Sequence, residues 1–152
     1  MRGKRGFTLI ELIIVIAVIA ILIGIALPRL RGMIDEGNTT KAAAELRALQ
    51  AGVESYYIHN SKVYPATGTT WESALTGATP KLIGAALSDP FNTTAGTQYQ
   101  FAKATNGLYY VIWSVGPDNT AGVTGISTAG AITGTAGDDI YVSNGTSGTG
   151  GF

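Results

Sequence analysis

The sequence predicts an α+β protein: one long N-terminal helix, membrane-spanning in its first half, packed on a small antiparallel β-sheet, with a loop-rich C-terminal region. Three observations predict it. Phe7 to Leu27 is apolar apart from Thr8, Glu11 and Gly24, and approaches the ~20 residues that cross a bilayer as a helix. Between Pro28 and Asn60, apolar side chains recur at three- and four-residue steps. The last third alternates β-branched and aromatic runs with Gly, Thr and Ser turns.

Composition narrows the function classes. A chain of 152 residues suits one compact domain plus one membrane-length segment, and without that segment roughly 120 residues remain for a modest core. Ten Lys and Arg balance ten Asp and Glu, and there is no basic arm, so nothing electrostatic points to nucleic acid. Cysteine is absent, which excludes disulfides and thiolate metal sites. His59 is the only histidine, so a histidine-cluster metal site is excluded, as is a Ser/His/Asp triad without it. Twenty-one glycines, concentrated in the last third, favour loops and short strands there.

The elements follow in order. Ile and Val are poor helix formers in water, but in lipid every backbone group must be paired within the segment, so the apolar run reads as a helix. A secretory signal peptide competes, because basic residues precede the run and "GIALP" offers small residues at Gly24 and Ala26; Glu11 counts against it. Arg2, Lys4 and Arg5 precede the run unopposed, whereas Asp35 and Glu36 accompany Arg29, Arg31 and Lys41 beyond it, which places the N-terminus inside. Beyond Pro28 the helix turns amphipathic, with Leu46, Leu49, Val53 and Tyr56 or Tyr57 inward and Lys41, Glu45, Arg47 and Glu54 toward water. Pro28 and Gly24 predict a kink, and "NSKVYP" ends the helix at about Asn60.

From Pro65 to Asp89 the chain reads as irregular, with short helices near Trp71 to Leu75 and around Lys81 to Leu87. "TQYQFA" and "GLYYVIWSVG", joined by "TNG", read as an antiparallel hairpin. The remainder reads as one or two short strands among loops.

Glu11 is the residue that demands an explanation. An ionised carboxylate near the centre of a membrane helix costs about 2.5–3.5 kcal/mol on insertion scales, less toward an end, and calls for a partner. A cut between Gly6 and Phe7 would create the nearest fixed positive charge, the α-amino group of Phe7. In one helix that amine and Glu11 lie about one turn apart; in axially offset neighbours, one chain's amine meets another's carboxylate and sets the register. The alternative is an ordinary single-pass anchor whose Glu11 sits near the interface.

"RGFTLIELIIVIAVIAILIGIALP" closely resembles the class III signal and N-terminal helix of type IV pilins and type II secretion pseudopilins. The likeness rests on a basic leader ending in Gly6, Phe7 as the new N-terminus, Glu11 as the fifth mature residue and Pro28 within the helix. It implies cleavage after Gly6 by a prepilin peptidase, methylation of the Phe7 amine, charge pairing of Glu11 with Phe7, and assembly into a homo-oligomeric filament. The resulting segments are a leader at 1–6, a transmembrane and assembly helix at 7–27, its amphipathic continuation at 28–60 and a periplasmic globular domain at 61–152.

"AELRALQAGVESYYIHNSKVYP", "SDPF" with "TQYQF", "YYVIWSVGPDN" and "GDDIYVSN" are similar to segments of the major pseudopilins of type II secretion systems. That resemblance implies a subunit held in the bacterial inner membrane, in contact with lipid, an assembly platform and minor pseudopilins, then built into a periplasmic pseudopilus that drives protein export. It also implies one calcium ion, at Asp118 with Asp138 or Asp139, and with further oxygens from Ser114, Val115 and Ser143. Calcium requires several oxygen ligands, which carboxylates, carbonyls and small polar side chains supply. The stretch from Asn119 to Gly137 is longer and richer in Gly and Thr than the family loop, so solvated loop aspartates are the other reading.

The alternative functions are a type IV pilin of a surface fibre and an anchored periplasmic enzyme. Absent cysteine disfavours the disulfide-closed loop of many pilins, and no acid/base pair, nucleophile triad or phosphate loop assembles from these residues. The tyrosines and Trp113 read as core and strand residues rather than as an electron conduit.

Overall fold

The computed structural model describes residues 6–68 and 70–151, so Arg2, Lys4 and Arg5 of the expected leader lie outside the described residues. Its first helix, α1, covers Leu9–His59 and continues through Pro28. The chain divides into two compact units, 1–36 and 37–152.

In the first unit, every large apolar side chain from Phe7 to Leu27 is between 48% and 82% exposed. The stretch is long and apolar enough to cross a membrane. A single chain in water would leave this surface unsatisfied; lipid or other helices must cover it.

In the second unit, α1 buries Ala42, Leu46, Leu49 and Val53, spaced at four, three and four residues, so one stripe faces the core. Gly52 lies on the same face because a Cβ there would stand 3.2 Å from Ile83 Cγ2 and from Leu75 Cδ2. A short helix, α2, covers Trp71–Thr76. Residues 81–87 are not helical as expected: Gly84 interrupts them, and the Leu82 and Leu87 N–H groups donate to the Leu75 carbonyl and the Glu72 carboxylate.

Strands β1 (Gln100–Lys103) and β2 (Tyr110–Ser114) pair antiparallel, with Gln100 opposite Trp113 and Lys103 opposite Tyr110. Gly107, at φ 70°, supplies the left-handed residue their connection needs. More strands follow than the one or two expected: β3 (Val123–Ile126), β4 (Ile132–Gly134), β5 (Ile140–Ser143) and β6 (Thr149–Gly150). The four-stranded sheet has the order β1-β2-β5-β6, while β3 and β4 form a separate hairpin.

All five β2 residues are buried because the sheet is covered on both faces. Tyr110 and Ile112 join Phe101, Ile140 and Val142 in the core that includes Leu46, Leu49 and Val53. Val111 and Trp113 point the other way, into a second cluster with Val123 and Ile126 of β3. The apparently featureless Gly/Thr stretch therefore contributes a lid with an apolar underside.

Glu45 and Glu54 are half-buried rather than fully solvated. Glu45 Oε2 accepts the Tyr99 hydroxyl at 2.6 Å, and Glu54 Oε1 accepts the Tyr110 hydroxyl at 2.8 Å. Burial and these adjacent carboxylates push both phenols above their ordinary range. The bonds tie two otherwise apolar packing surfaces into one alignment.

Candidate functional site: the N-terminal segment and the aspartate corner

Helix α1 begins with a reciprocal cap. The Thr8 N–H donates to Glu11 Oε2 at 2.9 Å, the Thr8 hydroxyl donates to the same oxygen at 2.8 Å, and the Glu11 N–H lies 3.3 Å from Thr8 Oγ1. This is the S/T-x-x-E capping box, whose local signal is the "TLIE" of residues 8–11. Within one chain, then, the first partner of Glu11 is Thr8. The box also places the carboxylate at the positive end of the helix dipole, where negative charge is favoured.

Gly6 and Phe7 precede the helix, and Phe7 is 82% exposed. A Cβ on Gly6 would meet nothing within 4 Å, so any demand for glycine there comes from outside the chain. Pro28 stands inside α1 without ending it.

In the second unit, three aspartates border the place where the β3–β4 hairpin leaves and rejoins the sheet. The Asp118 N–H donates to Asp138 Oδ2 at 2.9 Å, and Asp118 Oδ1 accepts the Thr120 N–H at 2.7 Å. Asp139, almost wholly buried, accepts the Gly122 and Val123 N–H groups on Oδ2 at 2.8 and 2.6 Å. Its Oδ1 is buried with no hydrogen-bond partner among the described residues. Burial pushes the Asp139 carboxyl above its ordinary range and its two amide donors pull it down, while the Asp138 and Asp118 charges add to the rise.

Of the further oxygens expected at this corner, the Ser114 hydroxyl is turned to Asp89, as is the Val115 N–H, at 2.7 and 3.0 Å, which leaves the Val115 carbonyl uninvolved in that bond. Ser143 is at the far end of β5: it pairs with Val111, whereas Ile140, next to Asp139, pairs with Ser114. At about 3.3 Å of rise per residue, four residues carry Ser143 roughly 13 Å from Asp139, so the sheet register removes it from the corner. Asp89, which sequence reasoning treated only as part of "SDPF", proves to be the buried clamp on the end of β2. Among the described residues no group of three or more His, Cys, Asp or Glu gathers closely enough to form a ready-made metal cage.

Residues 1–27 match the prokaryotic N-terminal methylation motif, and residues 29–130 match the family of type II secretion system (T2SS) protein G. The chain belongs to the T2SS protein G family. A type II secretion system core protein G of Pectobacterium carotovorum subsp. carotovorum is 27% identical over 129 residues, covering 78% of this chain and 80% of that protein. The protein G of Vibrio cholerae is 34% identical over a shorter 79 residues, about half of each chain. A Pseudomonas aeruginosa fimbrial protein is 28% identical over 129 residues, covering 82% of this chain and 77% of that protein. No solved structure gives a significant match. Protein G members are the major pseudopilins, and the long apolar helix joined to small antiparallel sheets is the pilin-like α+β architecture. The protein G match stops at residue 130, within the turn between β3 and β4, so Asp138 and Asp139 lie beyond it.

Proposed function

We propose that this chain is the pseudopilus subunit whose assembly is guided by Phe7 and Glu11, rather than a fibre-forming pilin or an anchored enzyme. The carrying observation is the exposed apolar surface from Phe7 to Leu27, with one capped carboxylate at its start. Lipid covers that surface before assembly; the same helices of other protomers cover it afterwards, so burial is retained during transfer. Cleavage after Gly6 frees the α-amino group of Phe7, which is methylated in a separate step. The amine of one protomer pairs with Glu11 of the next, which Thr8 holds in a fixed rotamer.

In this reading residues 1–6 are the leader, 7–27 the membrane and assembly segment, 28–60 its continuation and 61–152 the periplasmic domain. The subunit would meet prepilin peptidase, an inner-membrane assembly platform and minor pseudopilins. Against the enzyme alternative, an open cleft of about 630 Å³ beside β1 is lined by Thr, Gln, aromatic and small residues, with no carboxylate, histidine or lysine among the described residues that line it. The test is Gly6→Trp: the precursor should accumulate uncleaved, read by N-terminal mass, and normal processing would overturn the assigned site.

We further propose calcium at the aspartate corner. The unpartnered Asp139 Oδ1 suits a cation, and Asp118 and Asp138 add charge beside it. Backbone carbonyls and water would have to complete the shell, as calcium allows. The ion would supply charge compensation and order rather than chemistry.

A further inference from the structure

Glu72, in the first turn of α2, is fully buried. Its Oε2 accepts the Leu87 N–H at 2.6 Å, while Oε1 has no hydrogen-bond partner, and no cation pairs with it among the described residues. Leu87 ends a non-helical strap, 81–87, that α2 holds at both ends: the Leu82 N–H donates to the Leu75 carbonyl at 3.2 Å, and Leu87 donates to Glu72. Between these anchors Ile83 rests against Gly52 of α1, and Leu82, Ile83 and Leu87 are half-buried on the main core.

The groups around Glu72 are mostly of its own sign. From α1 comes Glu45, whose Oε2 takes the Tyr99 hydroxyl and whose Oε1 lies 3.8 Å from Lys41 Nζ. Tyr99, ahead of β1, contributes an uncharged hydroxyl, and Asp89 is committed to Ser114 and Val115. Lys81 is exposed at the start of the strap, and His59 lines a small cleft with Leu82. Nothing here compensates a second buried negative charge. An unpaired ion in such a place is more costly than a neutral acid with one open lone pair.

We propose that Glu72 is a proton-operated latch: protonated, it keeps the 81–87 strap closed over the Gly52 face of α1, and ionised, it draws in water and releases the Leu87 end. The step is a single proton transfer from the Glu72 carboxyl to buffer, with loss of the Leu87 N–H bond and no other change of bonding. Burial, with a contribution from the Glu45 charge and against the pull of the Leu87 N–H, raises Glu72 to about 7, so the two states exchange near neutrality. The sign follows from linkage: for an acid whose folded value is raised, the stabilising contribution is complete below the ordinary glutamate range. It is lost as pH climbs to about 7.

The test uses the full mature chain in detergent micelles, with carboxyl-labelled glutamate followed by NMR and amide exchange at Leu87 measured from pH 5 to 8.5. The expected result is a Glu72 midpoint well above the other glutamates. Leu87 protection, corrected for intrinsic exchange, should fall by up to about tenfold per pH unit between the ordinary glutamate range and that midpoint and level off above it. Glu72→Gln should keep Leu87 protected throughout, and Glu45→Gln should move the midpoint down while preserving the event. An ordinary Glu72 midpoint, flat Leu87 protection, or a transition that persists in Glu72→Gln and disappears in His59→Gln would each overturn the latch. The first two readouts need no variant, so they decide even where Glu72→Gln fails to fold.

Discussion

Substituting Asp139 separates two roles that meet in one side chain. Its Oδ2 receives two backbone N–H groups at 2.8 and 2.6 Å, and its Oδ1 receives none. Hydrogen bonds to a charged acceptor are worth about 1.5–3 kcal/mol each, so losing both in Asp139→Ala removes roughly 3–6 kcal/mol of interaction. Relief of the buried charge and its unpartnered oxygen offsets part of this, leaving an expected net loss of about 3 kcal/mol, or roughly 10 °C in Tm. Asp139→Asn keeps one acceptor for the hairpin amides and carries no charge, so it should cost about 1 kcal/mol or less at pH 7 without calcium.

The pH dependence has a fixed sign. The folded Asp139 carboxyl is raised, so its stabilising contribution is present below the ordinary aspartate range and declines as pH rises through the folded value. Asp139→Asn should therefore compare more favourably with the wild type at pH 7 than at pH 4. Calcium reverses the comparison, since only the carboxylate offers it a charged ligand. Thermal melts of the mature chain in detergent, with chelator or with millimolar calcium, give all of these values. A calcium-dependent rise in the wild type that both variants lose is the expected pattern. An Asp139→Ala protein as stable as the wild type would refute the grip on the hairpin, and an undiminished calcium shift in both variants would place the ion elsewhere.

Other outcomes are equally specific. Glu11→Ala should insert in the membrane yet give few filaments, scored by electron microscopy of overexpressing cells; wild-type yield would remove the proposed pairing with Phe7. Thr8→Val removes the hydroxyl half of the helix cap and should weaken assembly less than Glu11→Ala, because the Thr8 N–H bond to Glu11 survives it. Leu49→Ala, at a fully buried position of α1, should destabilise the folded unit by about 2–5 kcal/mol in denaturant melts. Tyr110→Phe should cost about 1–2 kcal/mol by leaving Glu54 without its hydroxyl donor, and a neutral result would show that water replaces the bond.

Much of the N-terminal unit was legible because its signals are local. A run of apolar residues, one carboxylate within it and a basic stretch ending in glycine are read within a few positions of one another, and so is the stripe of Leu46, Leu49 and Val53. The β1–β2 hairpin was legible for the same reason, since turn chemistry and alternation sit side by side. The expected helix at 81–87 failed because its apolar residues serve as strap contacts on α1 and its amides are claimed by α2. The β3–β4 hairpin went unseen because Gly and Thr hide the four apolar contacts, Val111, Trp113, Val123 and Ile126, that two distant segments make together. Ser143 was expected beside the aspartates from the family resemblance, and the register of β5 sets it four residues along the strand from Asp139.

By itself, the sequence determined that this chain has a membrane-length helix, a carboxylate near its start and a glycine where a leader would end. Those properties depend only on the order of neighbouring residues and on how lipid treats backbone and charge. Only the tertiary structure decided that β2 lies between β1 and β5, that Glu45 and Glu54 serve buried tyrosines, that Asp89 clamps the end of β2, and that Glu72 closes a strap. Each of these joins residues far apart in the chain, and periodicity tells which face of an element is buried without telling what will cover it.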